Sequence, residues 1–136
     1  MAIELFWDND EQNIMLCVFD KQWTWDEMFE TLEKIKKVTD KRDYEIGAII
    51  DVSAGISIPG GSIFSPDVRE KAKRLLSYGD EGRGPIAVVG AGGAFKMFSS
   101  AFTMLDKNAM RDTYFANSLD EARQMMAKRL KQRVTA

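Results

Sequence analysis

Residues 46–67 read IGAIIDVSAGISIPGGSIFSPD, and this stretch decides the expected fold. Its first part, Ile46 to Val52, is apolar and rich in β-branched residues, a composition typical of a central strand buried on both faces. The glycines and proline between Gly55 and Gly61 predict a long turn. Ser65-Pro66-Asp67 predicts a helix start, with the serine as N-cap and the proline at the first helical position. Strand, glycine-rich loop and helix form one unit of an α/β sheet, in which sites lie at the carboxyl ends of strands.

The overall composition is that of an ordinary soluble protein. The chain has 136 residues, 45% hydrophobic and 29% charged, and we expect a single domain over residues 1–136. Its net charge of -2 provides no basic field for nucleic acid, so no nucleic-acid partner is expected. No apolar run approaches the roughly 20 residues that span a bilayer, and no secretory signal is visible, so we expect no membrane insertion. One cysteine, Cys17, fits a reducing compartment and predicts a cytoplasmic location.

Histidine is absent from the sequence. Its absence excludes Ser-His-Asp and Cys-His nucleophile systems, and a lone cysteine with carboxylates makes a poor zinc site. We therefore expect no catalytic residues, no metal and no cofactor. The one cluster that an enzyme could use is Asp51, Ser53 and Ser62 near the end of the central strand, and no general base stands beside it.

The rest of the chain alternates between strand and helix patterns. Capping boxes at Thr24/Glu27 and Ser118/Glu121 predict the starts of two amphipathic helices. Apolar runs predict strands at residues 3–7, 14–19, 46–52, 86–91 and 113–116, and further helices are predicted after Ser65 and over 94–105. The resulting order is β-β-α-β-α-β-α-β-α. An opening hairpin followed by alternating strands and helices predicts an α/β fold with a single mixed, mostly parallel sheet and helices packed on it.

The run VVGAGGAFK at residues 88–96 contains two glycines of a dinucleotide-binding motif, Gly90 and Gly92. Phe95 stands where that motif needs its third glycine, and the run follows a late strand of the chain. A glycine turn between a strand and a helix explains the run without a ligand.

The acidic cluster Asp8, Asp10 and Glu11 has the appearance of a calcium loop. An EF-hand loop would need glycine in place of Asn13 and glutamate in place of Phe19. We therefore interpret the cluster as a solvated turn between the first two strands.

The predicted helix over residues 94–105 has an unusually wide apolar surface. Its candidate residues for contact with a partner or an apolar ligand are Phe95, Met97, Phe98, Phe102 and Met104. A helix that is apolar around so much of its circumference has to be covered by something. The cover is the protein's own core, a protein partner or second copy of the chain, or a small apolar molecule, and all three alternatives stay open.

The element order and four short motifs resemble the STAS-like proteins, particularly the SpoIIAA-like branch related to bacterial anti-sigma-factor antagonists. The motifs are WTWDE at 23–27, IIDVS at 49–53, IAVVGA at 86–91 and YFANSLDEA at 114–122, and the resemblance covers nearly the whole chain. It implies a STAS/SpoIIAA-like fold and a non-enzymatic regulatory or protein-interaction domain. The implied partner is another protein or a second copy in a homodimer.

In these antagonists, a partner kinase phosphorylates a serine in the loop after the third strand, and this abolishes partner binding. The resemblance therefore implies a candidate phospho-acceptor loop here, ISIPGGSIFS at 56–65, in which Ser62 is the nearest match and Ser57, Gly60 and Gly61 are its neighbours. Glycines and a proline stand where the family motif has an acid. The resemblance also implies an alternative function, a carrier or sensor of a small apolar, lipid-like ligand bound by the helix over 94–105.

Overall fold

The computed structural model describes residues 3–10, 12–41, 46–55, 65–77, 83–92, 100, 103 and 113–135. In order, the described elements are β1 (Ile3–Trp7), β2 (Ile14–Phe19), α1 (Trp25–Thr39), β3 (Ile46–Asp51), α2 (Pro66–Ser77), β4 (Arg83–Val89), β5 (Thr113–Ala116) and α3 (Leu119–Thr135). The helix predicted over 94–105 lies outside the described residues except for Ser100 and Thr103, which are both helical.

The described strands form one five-stranded sheet in the sequential order β1-β2-β3-β4-β5. β1 pairs antiparallel with β2, and all other pairs are parallel. This confirms the predicted α/β fold with a mixed, mostly parallel sheet and an opening hairpin. Parallel neighbours need a crossover connection, and α1 and α2 lie in the connections from β2 to β3 and from β3 to β4.

One face of the sheet packs against α3, which lies across β3, β4 and β5. The buried residues of this layer are Ile14, Ile49, Ala87, Val89, Ala116, Ala122, Met126 and Leu130. Met126 lies directly over Gly47, where an added Cβ would be 2.9 Å from the methionine sulfur. Ala122, Met126 and Leu130 therefore form the buried stripe of this last helix.

The opposite face packs against α1. The residues of this layer are Ile3, Cys17 and Phe19, with Leu5, Trp23, Met28, Ile35, Ile50 and Val52 partly buried around them. Trp25 and Phe29 are buried in α1, and their rings stack with centroids 6.1 Å apart. The Arg74 guanidinium of α2 lies 4.1 Å from the centroid of the Phe29 ring, so α2 lies beside α1. Helices on both faces explain why β2 and β3 are almost continuously apolar.

The N-caps of both predicted capping boxes form. Thr24 Oγ1 accepts a hydrogen bond from the Glu27 N–H at 3.2 Å, and Ser118 Oγ accepts from the Glu121 N–H at 3.2 Å. The Glu121 carboxylate accepts in turn from the Asn117 N–H at 3.2 Å. A standard capping box would bond the N–H of the cap residue itself, one position later. The helix starts are therefore as predicted, with a one-residue variation in the second box.

β4 differs from its predicted bounds, since we expected it to begin after Pro85. It spans Arg83–Val89, with the proline inside the strand, and ends two residues earlier than expected. The pairing of β4 with β3 shifts register between Ile46 and Ala48, and such an irregularity tolerates a residue without an N–H. Gly84 lies at the same place, where an added Cβ would be 2.3 Å from the Ile46 carbonyl oxygen. The irregular pairing therefore accommodates Pro85 inside the strand.

Candidate functional site

The carboxyl ends of β3, β4 and β5 meet at one edge of the sheet because these strands are parallel neighbours. The register places Asp51 beside Val89, and Val89 beside Ala116. The turn at residues 51–55 therefore lies next to Gly90, the first residue after β4. This is the edge at which the sequence predicted a site.

A hydrogen-bonded turn follows β3. Asp51 Oδ1 accepts a hydrogen bond from the Ser53 backbone N–H at 2.9 Å, and the Gly55 N–H donates to the Val52 carbonyl at 3.0 Å. Gly55 has a φ of +134°, which glycine adopts readily. The Asp51 carboxylate thus stabilises a local turn. Among the described contacts it bonds the amide of Ser53 and not its hydroxyl, so this pair is not arranged as a nucleophile and its base.

Gly90 allows the turn to approach β4 closely. Its φ is +83°, and an added Cβ would lie 2.5 Å from Ser53 Oγ and 2.7 Å from Ser53 Cα. Nearby, the Val52 N–H donates to the Val89 carbonyl at 2.9 Å, and the Gly90 N–H donates to the Ala116 carbonyl at 3.5 Å. These bonds join the ends of three strands. Gly90 of the VVGAGG run therefore has a structural role, in line with the interpretation of that run as a turn.

The helix that starts after the long loop begins where the sequence predicted. α2 starts at Pro66, and the Ser65 carbonyl accepts a hydrogen bond from the Arg69 N–H at 2.9 Å. Asp67 lies in the first turn, where its negative charge interacts favourably with the positive end of the helix dipole. The far end of the candidate loop is thus attached to a regular helix.

The residues predicted to carry function lie outside the described residues. They are the candidate phospho-acceptor loop residues Ser57, Gly60, Gly61 and Ser62, and the candidate contact residues Phe95, Met97, Phe98, Phe102 and Met104. Both groups therefore remain predictions. The structure does place their points of attachment, with Gly55 and Ser65 on either side of the loop and Gly92 shortly before the predicted helix.

An ion pair that we did not predict joins the two ends of the chain. Arg123 of α3 donates from Nε and Nη2 to the Asp8 carboxylate at 2.9 to 3.2 Å. The Asp8 side chain is only 5% exposed, against 44% for Arg123. The hydrogen bond to Asp8 raises the pKa of Arg123. The prediction of a solvated turn is therefore wrong for Asp8, because the guanidinium replaces water around its carboxylate. The two residues are 115 positions apart, so no local spacing could have indicated the pair.

Cys17 is 5% exposed in the core between the sheet and α1. Burial raises the pKa of its thiol to about 12, which keeps the thiol protonated at neutral pH. Cys17 is therefore a structural residue of the core. Within the described ranges, no group of three or more cysteine or carboxylate side chains is arranged to hold a metal ion.

No protein-family model matches the chain, and no curated protein matches it. In the part of the chain that the structure describes, no helix is both long enough and apolar enough to cross a membrane. The function is therefore argued from the residues and the sheet themselves.

Proposed function

We propose that this chain is a cytoplasmic, non-enzymatic STAS-like domain of the SpoIIAA-like type, which acts by binding another protein or a second copy of itself. The order of the described elements supports the proposal, since a hairpin precedes strands that alternate with helices and a capped helix comes last. The IIDVS and VVG segments, on which the resemblance rests, lie in adjacent central strands and their following turns.

The observation that carries the proposal is the sequential strand order. In open α/β sheets, small ligands bind at the carboxyl edge where the strand order reverses and neighbouring connections leave on opposite sides. Here β2 to β5 follow one another in sequence order, and α1 and α2 lie side by side. The described sheet therefore has no reversal that would open a crevice of this kind. A protein-binding surface fits this edge better than a cofactor cleft.

The proposed contact surface combines the loop from Gly55 to Ser65, the helix α2 that follows it, and the helix over 94–105. Hydrogen bonds of the turn after β3 and the close contact with Gly90 fix one end of the loop. A phosphate on Ser62 would add negative charge to this surface near the start of α2, where a helix dipole favours it. The proposed switch is a change in the charge of the contact surface.

Replacing Phe98 by aspartate tests the proposed contact. A partner is first identified by co-purification and then verified with purified protein. We expect Phe98→Asp to weaken binding at least about tenfold, because a charge would enter an apolar contact. Ser99→Asp is the matched control, since it places the same charge on a polar position of the same helix. Unchanged affinity of a folded Phe98→Asp variant would show that this helix is not the contact.

A native mass spectrum separates this proposal from the apolar-ligand alternative. A dimer mass without an adduct supports self-association. An adduct of a few hundred daltons on protein purified without denaturation supports the carrier, and ligand removal should then lower stability until the ligand is returned. A bare monomer would indicate that the Phe- and Met-rich helix is mostly core, and would leave the 55–65 loop as the surface to test.

A further inference from the structure

The described helices cover only part of the sheet face that packs against α3. A helix is about 10 Å across and strands lie about 4.8 Å apart, so one helix covers roughly two to three strands. α3 lies on β3, β4 and β5. Ile14 of β2 also belongs to the layer under α3, and the rest of β2 together with β1 extends the same face beyond that helix. None of the described helices packs mainly on this part of the face.

The uncovered part carries apolar side chains. Leu16 packs against the layer under α3, and the register places Phe6 opposite Leu16, so both point to this face. Val18 shares the face because alternate residues of a strand point the same way. Phe6 is 47% exposed and is the one exposed large hydrophobic side chain among the described residues. We call Phe6, Leu16 and Val18 the outer apolar strip.

Two carboxylates border one end of this strip. The register places Glu4 opposite Val18 and Val18 opposite Asp51, so the three residues form one cross-strand row on this face. The Cα atoms of the two acidic residues are therefore about 10 Å apart, on either side of the valine. Glu4 forms no ion pair with a described residue, and the described hydrogen bond to Asp51 comes from a backbone N–H.

Among the described residues, the charges near this end sum to a negative value. Arg123 lies toward the other end of the strip and is bonded to Asp8. Asp20 and Lys21, both exposed, follow β2, and the Lys21 side chain lies against Gly55 in the turn after Asp51. Glu4, Asp20 and Asp51 therefore outnumber Lys21 at this end. The outer apolar strip is thus apolar in the middle and negative at one border.

We propose that the outer apolar strip is a docking surface for an amphipathic helix of a partner protein with basic residues beside its apolar stripe. The inference rests on the proposed function as a protein-binding domain and adds the surface and the chemistry of the partner. Apolar side chains of the helix at i, i+3 and i+4 cover the strip, and its lysines or arginines meet Glu4 and Asp51. β1 spans about 17 Å, which accommodates about three helical turns. Such a small interface belongs to the weak, transient class.

Two synthetic helical peptides of about 14 residues test the proposal. They share one leucine stripe and differ only in carrying lysine or glutamate beside it. Titrated into the ¹⁵N-labelled chain, the lysine peptide should shift the amide signals of Phe6, Leu16 and Val18, and salt should weaken its binding. The glutamate peptide should bind about tenfold more weakly. Equal binding of the two peptides, or the absence of shifts in β1 and β2, would overturn the proposal.

Variants of the chain separate the apolar and the charged contributions. Phe6→Ser should weaken the lysine peptide at least about tenfold. The double variant Glu4→Gln/Asp51→Asn should remove most of the preference for the lysine peptide, and the asparagine retains an oxygen that accepts from the Ser53 amide. The matched control is Asp26→Asn/Glu30→Gln on α1, which removes two exposed carboxylates from the opposite side and should change nothing. Undiminished binding by folded Phe6→Ser would contradict the assignment of the surface.

The same variants distinguish this inference from the proposed function. A verified partner that loses affinity with Phe98→Asp but not with Phe6→Ser supports the function and overturns the inference. A partner that loses affinity with Phe6→Ser alone supports the outer apolar strip and removes the helix over 94–105 from the contact. A partner unaffected by either change overturns both assignments.

Discussion

Replacing Gly90 by alanine tests whether the turn after β3 depends on its close approach to β4. Gly90 has a φ of +83°, and an added Cβ would lie 2.5 Å from Ser53 Oγ, 2.7 Å from its Cα and 2.9 Å from its N. The hydroxyl could rotate away, but the two backbone atoms move only if the whole turn moves. Gly92 provides a matched control, because its φ is +58° and an added Cβ meets nothing within 4 Å.

The two substitutions differ mainly in the steric clash. Both place alanine in a positive-φ conformation, at a cost of about 1–2 kcal/mol, and both gain about 0.4–1 kcal/mol because alanine restricts the unfolded chain. Only Gly90→Ala adds the overlap with Ser53, and overpacking of this kind costs about 1–3 kcal/mol. We therefore expect Gly90→Ala to lower the free energy of unfolding by about 1–3 kcal/mol more than Gly92→Ala does.

Urea unfolding measures this difference, with the fluorescence of the three tryptophans as the probe and linear extrapolation to water. For a chain of this size, each kcal/mol also lowers the melting temperature by roughly 3 °C. Equal destabilisation by the two variants would refute the reasoning, because the positive φ alone would then account for both. Ser53→Ala in the Gly90→Ala background should restore only part of the loss, since it removes the hydroxyl and leaves the backbone atoms in place.

Three further predictions concern the core and its ion pair. Arg123→Met leaves the Asp8 carboxylate buried without its partner and should lower the free energy of unfolding by about 1–3 kcal/mol, measured with urea. If the two residues act as a pair, Asp8→Asn should cost less in the Arg123→Met background than in the parent chain. Met126→Ala should lower the free energy of unfolding by about 2–5 kcal/mol, because the fully buried side chain packs against Gly47 and its truncation leaves a cavity. Burial raises the pKa of Cys17 from 9.0 to about 12, so its contribution to stability is complete below pH 9 and declines as the pH rises toward 12. Between pH 9 and pH 11 the parent chain should therefore lose about 2–3 kcal/mol more than Cys17→Ala, and parallel pH profiles would contradict this.

The parts of the fold that the sequence predicted correctly depend on local chemistry. Thr24 and Ser118 cap their helices through hydrogen bonds to residues three positions away, so the spacing alone indicates them. The apolar runs of β2 and β3 are explained by helices on both faces of the sheet. The start of β4 could not be predicted in this way. Pro85 lies inside that strand because the pairing with β3 is irregular, and strand pairing is a property of two segments distant in sequence.

The same distinction between local contacts and contacts distant in sequence applies to the candidate site. Asp51 and Ser53 are two positions apart, and their turn follows from their side chains and from Gly55. The approach of Ser53 to Gly90 and the bond from Arg123 to Asp8 join segments far apart in sequence, so they required the folded chain. The Ser62 loop and the helix over 94–105 lie outside the described residues, and their roles still rest on the sequence pattern and the resemblance.

A final prediction concerns Phe6, which lies on the part of the sheet face beyond α3. The antiparallel connection from β1 to β2 brings no helix, and among the described helices α3 packs on this face over β3, β4 and β5. Phe6 is 47% exposed, so its side chain buries little apolar area in the isolated chain. Phe6→Thr should therefore cost about 1 kcal/mol or less in the isolated chain, whereas Ile3→Thr, on the same strand but 4% exposed, should cost about 2–3 kcal/mol. Equal costs would identify Phe6 as a core residue and would remove the central contact of the proposed docking surface.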